Sequence, residues 1–385
     1  MSAPDTSAVR PAVGGGPLLP DYDGANVRGI VPALLAGPHP ETPSWFPSPV
    51  SGAENVVLLV LDGLGWEQLR ERAVMAPTLS AMVGGPITTV APSTTATALT
   101  SIATGLTPAE HGIIGYRTLL GGEVTNMLRW ASGDRDRRHD APPSSVQPAP
   151  AFCGQRVPVV TAHELTATPF SEAHLRPGAL IGYRAASSLP VLVSRSIAAG
   201  ARFVHAYYAG VDRIAHERGF GDFYDAELAA ADALVADLLD RLDPGTVLLV
   251  TADHGQVDVG DRLIEPSPGL LELVSLQSGE GRMRWFHSIP GAAGELLAAA
   301  EAEFSDTGWV RSREQVIDER WFGRAISGPV AGRLGDVVVA AREPVSYVDP
   351  DDSGPFELVC RHGSLTSAEM LVPLVAARGV GRRAV

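Results

Sequence analysis

The chain has 385 residues, a formal net charge of −14 and 30 basic residues, every one of them arginine. A chain without lysine cannot be a working P-loop enzyme, protein kinase, pyridoxal enzyme or Schiff-base aldolase. The acidic balance also argues against binding nucleic-acid duplexes, which need a basic face. With 45 % hydrophobic residues, the chain reads as globular and enzyme-sized, long enough for a substantial core.

Residues 1–50 carry scattered Pro and Gly and read as an irregular N-terminal arm. No apolar window reaches the ~20 residues that span a bilayer, and no unbroken apolar run follows a basic start as in a secretion signal. Cys153 and Cys360 have no metal-type spacing and are expected to be reduced, core-packed thiols. A cytoplasmic location away from membranes follows as the expectation.

The first buried-strand candidate, Asn55 to Leu61 (NVVLLVL), runs straight into Asp62. A hydroxyl-rich stretch follows from Pro92 to Ser101, and its proline predicts a helix start near Ser93 or Thr94. The positive end of a helix suits an anion, and a hydroxyl held there can attack phosphorus. The same residues also suit a plain N-cap with helix-surface threonines. Residues 132–150, charged and then Pro-rich, read as a surface loop.

The second strand candidate is Arg202 to Tyr208, followed by Asp212 and His216. A helix capped by Asp222 follows, with Leu228, Ala231, Val235, Leu238 and Leu242 at helical spacing before Pro244 and Gly245 end it. The third strand, Thr246 to Thr251, leads into Asp253, His254 and Gly255. Residues 258–335 mix strand-like and helical pieces, including a helix near Ala292 to Phe304, and read as a small inserted α/β cap. Within it, Arg282, Arg284, Trp285 and Phe286 fit either a nucleotide clamp or an ordinary half-buried strand. The chain is expected to rejoin the core at Asp336, with Asp336 to Ala340 as a fourth strand. The whole is α/β, a mostly parallel central sheet flanked by helices, with a core formed by residues 51–257 and 336–385.

Three strand candidates therefore end near an aspartate. Ligands of open parallel sheets bind at the carboxyl ends of strands, so Asp62, Asp212 and Asp253 are placed to share one crevice. Asp212 and His216 fall one helical turn apart if the segment is helical, though such a pair can also be a surface ion pair. Asp253 and His254 are adjacent on a turn that Gly255 lets bend. His362 lies in a further Arg-His-Gly segment. Mixed Asp and His ligands suit Zn²⁺ or Mn²⁺, and their number suffices for two ions.

In this order the segments resemble the alkaline phosphatase superfamily, and within it the type I phosphodiesterase/nucleotide pyrophosphatase family. The stretch from Thr104 to Ile113 (TGLTPAEHGI) is similar to the family's segment after its nucleophile helix, and the resemblance runs from about Val56 to His362. It implies an alkaline-phosphatase-like core and two divalent ions, Zn²⁺ first and Mn²⁺ as the alternative. Asp212, His216 and His362 would hold one ion. Asp62, Asp253 and His254 would hold the other, with the nucleophile hydroxyl as a further ligand. The nucleophile position falls on Thr95, with Thr94 as the neighbouring alternative, and His111 matches a structural histidine. Two divalent ions would add +4 against −3 from the three aspartates, so an acidic protein can still offer a cationic pocket.

The chain departs from the pattern at Ala98, where the family's phosphodiesterases usually carry an Asn that donates to a phosphoryl oxygen. The clamping arginine of alkaline phosphatases has no recognisable place, and residues 93–97 do not fit a sulfatase. The resemblance thus implies a two-metal hydrolase that cleaves phosphodiester or pyrophosphate bonds of small nucleotide-like substrates through a phosphothreonine. Phosphomonoester or phosphonate hydrolysis is the alternative. A non-catalytic metal-binding domain or a phosphotransferase or mutase is the reading from another class, but every ligand position is filled, which favours an enzyme.

Overall fold

The structure, a computed structural model, describes residues 15–35, 42–352 and 357–382. Six strands, β1 (Asn55–Leu61), β2 (Val83–Thr88), β3 (Pro158–Ala162), β4 (Ala179–Tyr183), β5 (Phe203–Tyr208) and β6 (Thr246–Thr251), join a late strand, Leu371–Arg378, in one seven-stranded sheet. Across the sheet the order is β2, the late strand, β6, β1, β5, β3, β4. Only the late strand runs antiparallel to its neighbours.

β1 lies at the centre of the sheet, and its apolar run suits a strand covered on both faces. Val57 to Leu61 are fully buried, as expected for a parallel strand covered on both faces. Each such side chain contributes roughly 1.5–3 kcal/mol of burial. β1 pairs in parallel with β6 on one side and β5 on the other, so the ends of these three strands lie level.

Three helices shape the rim of that end: α1 (Thr95–Thr104), α2 (Gly210–Arg218) and α3 (Asp222–Arg241). α1 stops at Gly105, whose φ of 76° is left-handed, the usual exit from a helix. α3 follows the expected apolar spacing, but Gly221 occupies the cap position and Asp222 is the first helical residue. There the Asp222 carboxylate still complements the positive helix end.

The small unit differs from expectation in extent. β7 (Val274–Glu280), β8 (Met283–Ser288), β9 (Gly308–Ser312) and β10 (Val337–Ala341) form an antiparallel sheet ordered β7-β8-β10-β9, with α4 (Ala293–Phe304) beside it. The fourth strand expected in the core thus belongs to the small sheet, and the chain does not rejoin the core at Asp336. A run of Val and Ala, buried throughout, carries no mark of which sheet it pairs with. The expected loop 132–150 is also partly ordered: residues 131–132 and 135–136 close a small antiparallel sheet with Arg117–Leu120 and Glu123–Asn126, and a short helix covers Pro143–Val146.

The N-terminal arm packs on the core within its described residues. Val27, Ile30 and Val31 are fully buried, and Asn26 donates to Thr88 Oγ1 and Thr89 O. Its remaining residues, 1–14 and 36–41, lie outside the described ones. Cys360 is buried as expected, whereas Cys153 is exposed; both are unpaired. Among the described residues, no helix is long and apolar enough to cross a membrane.

Candidate active site

Asp62 directly follows β1, and the α2 residue Asp212 reaches it through the loop after β5, donating its N–H to Asp62 O at 3.1 Å. This approach needs Gly63: its φ is 73°, and a Cβ there would lie 2.8 Å from Asp212 Cβ. Asp253 follows β6, and its Oδ1 accepts the N–H groups of Gly63 and His254, each at 3.1 Å. The three strand ends thus deliver three carboxylates to one place, as their positions in the sequence predict.

The histidines arrive by separate routes. His216 lies one turn along α2 from Asp212, with Nε2 3.3 Å from Asp212 Oδ1. His254 is carried on the turn after β6, its Nε2 3.5 Å from Asp62 Oδ1 and 3.4 Å from Asp253 Oδ2. His362 enters through an isolated antiparallel bridge between Ser93 and Gly363. Two groups result, Asp212 with His216 and His362, and Asp62 with Asp253 and His254. In each, one potential ligand atom per residue lies within 4.8 Å of the others. The groups adjoin, with the His254 and His362 rings stacked at 3.6 Å between centroids.

Each histidine turns its Nδ1 to a backbone carbonyl: His216 to Cys360 O at 2.6 Å, His362 to Ser93 O at 2.9 Å and His254 to Gly255 O at 3.1 Å. A carbonyl only accepts, so Nδ1 carries the proton and Nε2 presents its lone pair. This is the orientation of a metal-ligating imidazole. Asp62 Oδ1 and Asp253 Oδ2 are buried without a hydrogen-bond partner.

Burial pushes the Asp62 carboxyl well above the usual carboxylate range, and the charges of Asp253 and Asp212 push it further. Burial likewise raises Asp212 and Asp253, with His216 and His254 respectively opposing the rise. Burial holds His254 below its ordinary value and His362 well below it. Two buried carboxylates, the half-buried Asp212 and three imidazoles with Nε2 turned inward form a set that cations would complete. Divalent ions supply that charge and match the Asp and His donors, so these residues fit the two-ion expectation.

The hydroxyl stretch begins α1 where the sequence places a helix start, with Thr94 at the cap position. Every other residue of α1 is buried, and Thr95 alone is half-buried. Its Oγ1 lies 3.1 Å from His254 Nε2. Thr94, by contrast, is fully enclosed at 2 % exposure, so the two threonines face different surroundings. Thr94 makes no side-chain cap bond, and Ala98 is fully buried and offers no donor. His111, away from this cluster, accepts the Ile113 N–H at Nδ1 and therefore donates from Nε2 to Ser101 Oγ at 2.8 Å. That is a packing role.

Several contributing residues escape sequence reasoning. The Tyr207 hydroxyl donates to Asp62 Oδ2, and Gln256 Nε2 donates to Asp212 Oδ1 at 2.8 Å. Gln256 follows the Asp-His-Gly turn by one residue and Tyr207 is the penultimate residue of β5, but neither position signals a partner. The cluster of Arg282, Arg284, Trp285 and Phe286 is fully buried or nearly so and serves the small unit's interior. Arg282 pairs with Glu369, and Arg284 with Asp349 and Asp352.

Comparison with known proteins identifies the fold and the family. Murine ectonucleotide pyrophosphatase/phosphodiesterase 5, solved as an inactive variant in complex with AMP, matches with TM-score 0.63 and 16 % identity over 86 % of this chain and 91 % of its own. The human protein of the same name matches with TM-score 0.62 and 15 % identity, over 86 % and 90 %. Phosphonoacetate hydrolase from Sinorhizobium meliloti 1021, in complex with phosphonoformate, matches with TM-score 0.61 and 19 % identity, over 86 % and 92 %. At these identities the likeness is one of fold. No curated protein sequence matches significantly. The family model for type I phosphodiesterase/nucleotide pyrophosphatase matches residues 56–365, and the chain belongs to that family.

Proposed function

We propose that this protein, a hydrolase of the phosphodiesterase/pyrophosphatase type by its family, cleaves phosphodiester or pyrophosphate bonds in small organic phosphates, with Thr95 as nucleophile. The observation that carries this reading is the placement of Thr95. It is the one half-open residue of a buried helix start, 3.1 Å from His254 Nε2 and beside two Asp/His groups.

Asp212, His216 and His362 would hold one divalent ion, and Asp62, Asp253 and His254 the other, with zinc the first choice for these donors. Bound ions supply Lewis-acid charge, which makes a hydroxyl or water nucleophilic at neutral pH and stabilises phosphoryl oxygens. The chain's residues do the rest. The Thr95 oxygen attacks phosphorus in line, the leaving oxygen departs on the far side, and water then hydrolyses the phosphothreonine. Tyr207 and Gln256 hold Asp62 and Asp212 in place. With Ala98 unable to donate, the backbone N–H groups at the open start of α1 are the available donors to a phosphoryl oxygen.

Phosphonate hydrolysis is the second reading. Ala98 in place of the usual Asn and the fold shared with phosphonoacetate hydrolase favour it.

The test is hydrolysis of bis-p-nitrophenyl phosphate and p-nitrophenyl phosphate after zinc or manganese reconstitution, with bound metal measured on the same samples. Thr95→Ala is expected to lose at least about a thousandfold in kcat while retaining its metal. Full activity in that variant would remove Thr95 from the mechanism, and fewer than two metals per chain would defeat the two-ion site.

A further inference from the structure

The two Asp/His groups share one short segment, residues 253–258. Asp253 and His254 belong to the first group, with Asp62. Gln256, fully buried, reaches across to the second group and donates from Nε2 to Asp212 Oδ1 at 2.8 Å. That oxygen lies 3.3 Å from His216 Nε2 and 3.9 Å from His362 Nε2, so it is turned toward both imidazoles of its group. Val257 and Asp258 then pair antiparallel with Arg361 and Cys360. Cys360 O accepts the Nδ1 proton of His216 at 2.6 Å, and His362 follows Arg361 directly. Each ligand of the second group is therefore supported from the segment that carries two ligands of the first.

The Gln256 amide is placed for this link. Only its nitrogen can face a carboxylate oxygen, since two acceptors repel, and this leaves Oε1 buried without a partner. A buried acceptor without a partner costs about 1–3 kcal/mol. A methionine of the same length would fill the space without that cost. Gly63 leaves room for the amide, as a Cβ there would lie 2.6 Å from Gln256 Nε2. The backbone is held as well, with Gln68 Nε2 donating to Gln256 O at 2.8 Å.

We propose that Gln256 couples the two sites: an ion held by Asp62, Asp253 and His254 fixes the turn that carries the amide, and the amide holds the Asp212 carboxylate in position for the second ion. A site that is already ordered binds its ion more tightly, which is positive coupling without any new contact to the metal. The protein then fills both sites together at limiting zinc and passes little through a half-loaded form. This rests on the two-ion reading above. Gln256 acts through Asp212 and is a positioning residue.

The test is competitive zinc titration of the metal-free protein against a chromophoric chelator, in wild type, Gln256→Met, Asp62→Asn and the double variant. Asp62→Asn disables the first site without altering residues 253–258, so the constant that remains is that of the Asp212 site. His254→Ala serves the same purpose if Asp62→Asn does not fold. Gln256→Met is expected to weaken the Asp212 site about 10- to 100-fold, as loss of a ligand's support does elsewhere, and to leave binding of the first ion at the Asp62 site unchanged. Asp62→Asn should weaken the Asp212 site at least about fivefold when Gln256 is present, and by clearly less in the Gln256→Met background. The stacked His254 and His362 rings also join the groups, and the double variant separates their share from the part carried by Gln256. Equal weakening of both sites in Gln256→Met would make Gln256 a packing residue and overturn the proposal. An effect of Asp62→Asn that is the same in both backgrounds would overturn it too. Fewer than two zinc ions per wild-type chain would overturn the two-ion reading and this inference with it.

Discussion

Replacing Arg282 with methionine tests how the small sheet is tied to the active-site turn. Arg282 and Glu369 are fully buried and meet through two bonds, Nε to Oε1 at 2.7 Å and Nη2 to Oε2 at 2.8 Å. Arg282 also donates to Glu343 O at 2.9 Å and Val345 O at 2.8 Å. Arg282→Met removes these four donations together. Glu369 keeps the Ser364 N–H and the Thr366 hydroxyl as donors but loses its counter-charge. Breaking a buried pair from one side costs about 3–5 kcal/mol, and the stranded carbonyls place this case toward the upper end. The double variant Arg282→Met/Glu369→Met removes both charges of the pair and should recover much of the loss. Urea unfolding of the wild type, both single variants and the double variant gives the coupling directly. The backbone oxygen of Glu369 accepts the Gly255 N–H at 2.9 Å, so the single variant should also loosen the Asp253-His254 turn. Zinc affinity is expected to fall by about 10- to 100-fold, as for other supports of metal ligands. A loss under 1 kcal/mol in Arg282→Met, or a double variant no more stable than the worse single one, would refute this reasoning.

Chelation should destabilise the protein and added zinc should restore it, by about 2.7 kcal/mol when zinc stands a hundredfold above its Kd. An unfolding midpoint unchanged by chelator and zinc would count against both Asp/His groups as metal sites. Acid sensitivity should come in part from His111, which burial, aided by the Arg333 charge, lowers from 6.5 to about 3. The unfolded chain binds this proton first, so the contribution is full above pH 6.5 and is lost as pH falls toward 3. His111→Gln should flatten the stability profile over that window, and an equally steep profile in the variant would exclude His111 as a source.

Much of the site is legible because its parts are local. Asp62, Asp212 and Asp253 stand at the ends of apolar runs that can only be buried strands, and Asp212 and His216 have helical spacing. Pro92 and the hydroxyls after it mark the start of α1. Where reading fails, the missing information is long-range. Val337–Ala341 has the composition of a main-sheet strand yet pairs in the small sheet, since a buried run does not specify its neighbour. The Arg282 cluster fits a binding surface as well as an interior until Glu369 is seen beside it.

Local chemistry in the sequence determined which groups are present and on which element each sits: three aspartates at strand ends, a hydroxyl at a helix start and histidines beside glycines. Tertiary structure decided how they assemble. Only the order β6-β1-β5 sets the aspartates side by side, and only the bridge between Ser93 and Gly363 brings His362 to Asp212. Packing also sets the two threonines apart, with Thr94 buried and Thr95 half-buried, its hydroxyl 3.1 Å from His254 Nε2. The physical reason is the range of the interactions: caps, turns and helical spacing act over a few residues, whereas strand pairing and side-chain packing depend on the free energy of the whole assembled core.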